Sequence, residues 1–254
     1  MIKVNNITKT YGDLTAVDNI SFEVPQGEIC GYLGPNGAGK TTTVKILTGM
    51  TLADSGHASI GEYDIAENSI AAKKQIGYVP ESGALYESLT PYEYLTFVGE
   101  LYHMAPNKID TKIEDLTEFM GLEDVLHKQM TDFSKGMKQK VLIISAVIHN
   151  PEVIFLDEPL NGLDANAALL LKKLLHNLTQ TGKTILYCSH VMEVVENLCS
   201  RIVIINEGQI IADDLVKNIK ANNQEASLED VFNKLTDTED KNKKAEAFSK
   251  VITE

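Results

Sequence analysis

Residues 34–41 read Gly-Pro-Asn-Gly-Ala-Gly-Lys-Thr, which fits the phosphate-loop pattern G-x-x-x-x-G-K-[ST]. The flanks are those the pattern needs. Glu28 to Leu33 is a short apolar strand leading straight into the loop, and Val44, Ile46 and Leu47 give Lys40–Thr48 a helical face that Gly49 ends. Gly34, Gly37 and Gly39, with Pro35, Asn36 and Ala38 between them, let the backbone curl so that successive N–H groups face an anion. The helix that follows adds the positive end of its dipole. In this pattern Lys40 reaches the β- and γ-phosphates of a nucleotide, the Thr41 hydroxyl binds Mg²⁺, and Thr42 is placed for the α/β-phosphates. A glycine-rich turn with an incidental lysine is the bland alternative, and the strand before and the helix after weigh against it.

A second element matches the first. Val153-Ile154-Phe155-Leu156 is a continuous apolar run ending in Asp157-Glu158-Pro159. Such a run suits a central parallel strand buried on both faces, and ligands bind beyond the carboxyl ends of such strands. Asp157 would complete the magnesium shell, directly or through water. Glu158 could orient, or take a proton from, the water that attacks a γ-phosphate. Two solvated acids before a turn proline would be the ordinary reading if no phosphate loop preceded them.

Along the chain, Ile2/Val4 and Ile20/Phe22/Val24 alternate as strands, and Pro25-Gln26-Gly27 reads as a turn. Ala58–Ile60 and Ile76–Val79 are short strands, with a helix expected near Ile65–Gln75. Residues 90–150 read as helices alone (through Tyr102, Ile109–Met120 and Ser134–Asn150), which predicts a helical insertion. After Pro151 the alternation resumes: strand Val153–Leu156, helix Ala165–Gln180, strand Thr184–Cys188, helix Val191–Cys199, strand Ile202–Ile205. That order predicts a parallel sheet covered on both faces. Residues 236–254 are charged and weakly patterned, as a solvated tail is.

Composition narrows the function classes. With 43% hydrophobic residues over 254 positions the chain can bury a substantial core. A formal charge of −13 argues against a nucleic-acid grip. The longest apolar run, Val141–Ile148, is far short of the ~20 residues that cross a bilayer, and no charged-then-apolar leader opens the sequence, so a cytosolic location is expected. Cys30, Cys188 and Cys199 have no metal-ligand spacing and sit in apolar segments, as small buried hydrophobes do.

Phe133-Ser134-Lys135-Gly136-Met137-Lys138-Gln139-Lys140 resembles the ABC signature L-S-G-G-Q-x-Q-R, and it stands between the phosphate loop and Asp157-Glu158 in the order of the ABC ATPases. The resemblance extends over nearly the whole chain. Tyr11 resembles the aromatic residue that stacks on adenine, although a strand-edge aromatic is the plainer reading. Leu160-Asn161-Gly162-Leu163-Asp164 resembles the D-loop that crosses a dimer interface. His190 resembles the switch histidine that contacts the γ-phosphate, where the plainer reading is a residue that merely begins a helix. What the resemblance implies is an α/β fold: a P-loop NTPase core with a mostly parallel sheet, an N-terminal antiparallel β subdomain and an inserted helical subdomain. It implies a nucleotide-binding domain over residues 1–219, with its insertion at about 82–150, and a C-terminal helical extension and charged tail over 220–254.

It further implies that ATP and Mg²⁺ are the cofactors and that this chain binds head to tail with a second copy or with a homologous ATPase. Ser134 and Gly136 of one would then meet the γ-phosphate held by the other, with Asp164 crossing the interface. The resemblance also implies polytopic membrane permease subunits on separate chains as partners, which would place the protein on the inner face of the membrane. Three positions depart from the family pattern: Lys135 and Met137 in the signature, and Glu81 where the Q-loop carries glutamine. Glu81 still offers an oxygen to Mg²⁺. These departures, and the ending Ser227-Leu228-Glu229-Asp230-Val231-Phe232, resemble ATPases paired with ABC-2-type export permeases. The rival functions are a soluble ABC ATPase of an assembly or maintenance complex, and a nucleotide-gated binding module with negligible turnover.

Overall fold

In the computed structural model, which describes residues 1–83, 85–225 and 227–236, the described strands form two sheets. Strands β1 (Ile2–Tyr11), β2 (Leu14–Val24), β4 (Ser55–Ile60) and β5 (Tyr63–Asp64) make an antiparallel sheet in the order β2-β1-β4-β5. The second sheet runs β10-β9-β3-β8-β7-β6, from β3 (Ile29–Leu33), β6 (Ile76–Val79), β7 (Val153–Asp157), β8 (Thr184–Cys188), β9 (Arg201–Asn206) and β10 (Gln209–Leu215). Its pairs are parallel except β9 with β10.

The parallel strands are apolar throughout because their two faces enter two cores. On β7, Val153 and Phe155 join one cluster and Ile154 and Leu156 the other; on β9, Val203 and Ile205 separate in the same way from Ile202 and Ile204. The first cluster contains β1 and β2 residues such as Ile2, Val4 and Phe22, so it joins the two sheets. The helices divide between them: Val44, Ile46, Leu47 and Ala72 of the first two pack in the first cluster, and buried residues of the others pack in the second.

Those helices are α1 (Lys40–Leu47), α2 (Ser69–Lys74), α3 (Pro91–Leu101), α4 (Pro106–Met120), α5 (Lys135–Val147), α6 (Ala165–Gln180), α7 (Met192–Leu198), α8 (Val216–Asn223) and α9 (Leu228–Thr236). Their starts are written in the sequence. Thr90 and Glu93 form a reciprocal capping box with Pro91 at the first position of α3. The Ser134 hydroxyl accepts from the Met137 N–H at α5, and the Asp164 carboxylate accepts from the Ala167 N–H at α6. Between residues 90 and 150 the described residues form helices and 3₁₀ turns only, as expected of the insertion.

Two expectations shift. The helix expected over Ile65–Gln75 is confined to Ser69–Lys74, because the Asp64 carboxylate accepts the N–H groups of Ala66 and Glu67 at 2.8 and 3.0 Å and holds those residues in a turn. Strand β10 was not foreseen. It follows a tight Glu207-Gly208 turn with φ of 49° and 80°, which suits a hairpin and returns the chain antiparallel along the sheet edge. Helices α8 and α9 dock on α7: Leu228 and Val231 are buried in the helical core, and Glu196 accepts from both Lys220 Nζ and the Leu228 N–H. The tail expected beyond residue 236 lies outside the described residues.

Candidate functional site: a phosphate cradle facing three carboxylates

Strand β3 lies between β8 and β9, and its carboxyl end delivers residues 34–39 to the top of the sheet. Two glycines there have no room for a side chain. A Cβ on Gly34 would stand 2.3 Å from the Ile205 carbonyl oxygen, and one on Gly39 would stand 2.4 Å from that of Ala16. Gly39 also has φ of 108°, in the left-handed half of backbone space. The loop is therefore pinched between β2 and β9.

Helix α1 begins at Gly39 with no side-chain cap and no acid in its first turn. Its leading N–H groups are thus left to an external acceptor. Lys40 Nζ donates to the carbonyls of Gly34 and Pro35 at 2.6 and 2.9 Å, which lays the ammonium across the loop. Behind it, Tyr32 donates to Thr43, and Thr43 to Gly39, so the base of the loop is braced from the core.

A cleft of about 330 Å³ opens above this loop. It gathers Tyr11, Asn36, Gly37, Gly39, Lys40, Thr41, Thr42, Glu81, Asp157, Glu158 and His190, all chosen from sequence. Gly34, Pro35 and Ala38, also expected to bind nucleotide, do not line it; Gly34 and Ala38 are buried. Leu14 and Ala16 of β2 complete the wall and were missed, since nothing in their pattern separates them from ordinary strand residues. A larger hollow of about 420 Å³, beside Met1, Gln75 and Glu152, lies at the amino ends of the parallel strands and has no glycine cradle.

Asp157 is 7% exposed at the end of β7. Burial first, and then the charges of Glu81 and Glu158, push its carboxyl up to about 6, against the pull of Lys40. A cation between these groups would relieve that repulsion. Among the described residues no three His, Cys, Asp or Glu side chains close on a point as a protein-only metal cage does. The set fits a hard dication that takes part of its shell from phosphate and water.

Glu158 has φ of 49°, a conformation that non-glycine residues seldom adopt. Its N–H donates to the Cys188 carbonyl and its own carbonyl accepts from the Asn161 N–H. Three groups after β8 hold its carboxylate: the Ser189 hydroxyl at 3.0 Å, the His190 N–H at 2.8 Å and His190 Nδ1 at 2.7 Å. The His190 ring stays 73% exposed at the cleft mouth while the glutamate side chain is only 11% exposed. Ser189 was missed; its signal was a small hydroxyl residue directly between an apolar strand and a histidine.

Comparisons with known proteins agree with this geometry. The ABC transporter family model matches residues 17–161. The chain belongs to the ABC transporter ATP-binding family. The linearmycin resistance ATP-binding protein LnrL of Bacillus subtilis is 40% identical over 84% of this chain and 68% of its own length. A solved ATP-binding subunit of an ABC transporter superposes with a TM-score of 0.89 at 30% identity, over 93% of this chain and all of that one. A dimeric ATP-binding cassette, MJ0796, in a post-hydrolysis state with ADP and phosphate, superposes at 0.78 with 25% identity, over 85% of this chain and 99% of that one. This ABC ATPase is an ATP-hydrolysing transporter subunit.

Besides Gly34, Pro35 and Ala38, three residues expected to bind nucleotide do not line the cleft: Ser134, Gly136 and Asp164. Ser134 and Asp164 are exposed at the heads of α5 and α6, and the head of α5 lies against the loop that leads into α6. A Cβ on Gly136 would lie 2.4 Å from the Gly162 carbonyl oxygen, and one on Gly162 would lie 3.0 Å from Cγ of the Lys135 stem. Lys135, a departure from the family pattern, is thus accommodated as an aliphatic cover over the D-loop.

Proposed function

We propose that this ABC ATPase powers export through a separate membrane permease, by closing head to tail on Mg-ATP and reopening after hydrolysis. The observation that carries the reading is the division of the site. One cleft holds the phosphate cradle and the carboxylates, while the capped helix at Ser134 stands apart from it, free to complete the cleft of a second copy. The dimeric cassette with ADP and phosphate supports this arrangement.

In this reading Tyr11 stacks on adenine. The loop amides from Gly34 to Gly39, with Lys40 and Thr42, hold the phosphates. Thr41, Asp157 and Glu81 hold Mg²⁺, which when bound offsets the charge of the phosphate oxygens. Glu158 takes a proton from the attacking water as an O–P bond forms at the γ-phosphorus and the bond to the β-bridging oxygen breaks. His190 contacts the γ-phosphate and, through Nδ1, steadies Glu158. Ser134 and Gly136 meet the γ-phosphate of the opposite copy, and Asp164 crosses between them.

Among the described residues no helix is long and apolar enough to cross a membrane, which suits attachment through a permease. Lys135, Met137, Glu81 and the 227–232 ending support the export subclass. The test is a Glu158→Gln variant isolated from native membranes. It is expected to bind ATP, dimerise, hydrolyse very slowly and bring a polytopic protein with it. Near-normal turnover would remove Glu158 as the base, and isolation with soluble partners alone would favour an assembly or maintenance complex.

A further inference from the structure

Gln139 is a buried amide, 5% exposed, on the inner face of α5, one turn after the Ser134 cap. Its Nε2 donates to the Pro159 carbonyl at 3.1 Å. An apolar side chain of equal length would fill the same volume, so packing alone does not call for an amide here. Among the described residues no other group donates to that buried carbonyl, and an unpaired buried acceptor costs more than the bond itself contributes.

Pro159 directly follows Glu158, whose left-handed backbone is strained and persists only where its surroundings hold it. Pro159 has no N–H to anchor it. The turn at 158–159 is therefore fixed by three bonds: Glu158 N–H to Cys188, Asn161 N–H to the Glu158 carbonyl, and Gln139 to the Pro159 carbonyl. The first two tie the turn to β8 and to its own loop. The third ties it to the helix headed by Ser134.

We propose that Gln139 is a positioning residue for Glu158. By holding the Pro159 carbonyl it fixes the turn that aims the Glu158 carboxylate, and it makes that aim depend on how α5 is seated. The contact of Gly136 with the Gly162 carbonyl, on the same helix and the same loop, gives α5 a second grip. Movement of the Ser134 end is thereby transmitted to the hydrolytic carboxylate of the same chain. The inference rests on Glu158 as the base.

Gln139→Met removes the donor at nearly constant length. Its kcat for phosphate release should fall about tenfold, the effect of misaiming a reacting group that is still present. KM for Mg-ATP should stay within about twofold, because no phosphate-holding group has moved. ATP-induced dimers of Gln139→Met in a Glu158→Gln background should match those of Glu158→Gln alone.

Gln139→Glu gives an independent readout. Protonated, its carboxyl can donate to Pro159, and ionised it cannot, so its activity relative to the unsubstituted protein should rise as pH is lowered. That comparison decides the matter if Gln139→Met does not fold. Unsubstituted kcat in Gln139→Met, equal losses in kcat and ATP binding, or a pH-independent ratio for Gln139→Glu would each overturn the proposal. Glu158→Gln runs beside them. If it keeps its turnover, the assignment of the base fails. If it is inert while Gln139→Met is fully active, only the positioning role fails.

Discussion

The Ser189 hydroxyl donates to the Glu158 carboxylate at 3.0 Å and accepts from the Val191 N–H at 3.2 Å, so the carboxylate is aimed by the loop that also carries His190. His190 holds the other carboxylate oxygen. With one oxygen fixed by Ser189 and the other by His190, rotation about the last torsion is blocked. Ser189→Ala frees one side without removing either reacting group. The expected result is a fall in kcat of about tenfold or more, the worth of one hydrogen bond to a charged group, with KM for ATP unchanged. Steady-state phosphate release measures both, and a matching rise in KM would mean that Ser189 binds nucleotide instead.

The close approach of Gly136 to the Gly162 carbonyl makes a different forecast. An alanine at Gly136 must push the D-loop aside, since its Cβ would meet a backbone oxygen at 2.4 Å. The phosphate cradle is built from other elements, so nucleotide binding by the monomer should persist. ATP-induced dimers in a Glu158→Gln background should weaken at least about tenfold, the effect of displacing interface groups by a fraction of an ångström. Ser134→Arg should abolish those dimers and likewise spare binding. Sizing with and without ATP reads the outcome, and unchanged dimers in either variant would take the signature helix out of the interface.

What could be foreseen from sequence followed from short-range rules. Gly34 to Thr41 announce a cradle because glycine spacing and flanking periodicity are local, and Thr90-Pro91, Ser134 and Asp164 announce helix starts because a cap bonds only three residues ahead. The two-core sheet was legible in β7 and β9 because strands buried on both faces lose their polar alternation. The hidden parts depend on contacts distant in sequence. Ser189 matters because it meets Glu158 across two adjacent strand ends, and Gln139 because it meets Pro159, neither of which spacing can show. Strand β10 was hidden for another reason: Gln209–Leu215 is an edge strand without a buried face, so no hydrophobic period marked it.

Asp157 gives a pH dependence with opposite consequences for binding and for stability. Its carboxyl titrates at about 6 when folded, because burial and then Glu81 and Glu158 disfavour its charge, against 3.8 in the unfolded chain. The folded state therefore binds more protons between these values, and stability from this group is lost as pH rises from 3.8 through about 6. A cation must displace that proton. Magnesium-dependent nucleotide affinity should accordingly fall by up to about tenfold per pH unit below 6. Asp157→Asn should abolish the magnesium dependence, yet raise the melting temperature by a few degrees at pH 7.5 and not at pH 4, since about 1 kcal/mol moves a domain of this size by that amount. Calorimetry at the two pH values checks it, and an equal shift at both would mean that the carboxylate is not repelled.

His149 carries the reverse sign. It lies just past α5, stacks on Tyr102 with ring centroids 3.6 Å apart, and bonds through Nε2 to the Ile76 carbonyl at 2.9 Å. A carbonyl only accepts, so Nε2 carries the proton, and Nδ1 is left buried without a partner. Burial first, and then Lys112 and Lys183, lower the imidazole to about 4 from 6.5, while the bond to Ile76 opposes the shift. The unfolded chain thus takes up a proton that the folded one refuses between these values, and stability is lost as pH falls from 6.5 towards 4. His149→Gln cannot titrate there. Above pH 7 it should be less stable by about 1 kcal/mol, having lost the stacked ring. That deficit should shrink and then reverse as the pH falls to 4.5. Urea midpoints at pH 7.5, 5.5 and 4.5 supply the measurement, and a constant gap across the series would show that the ring is not held neutral between the insertion and β6.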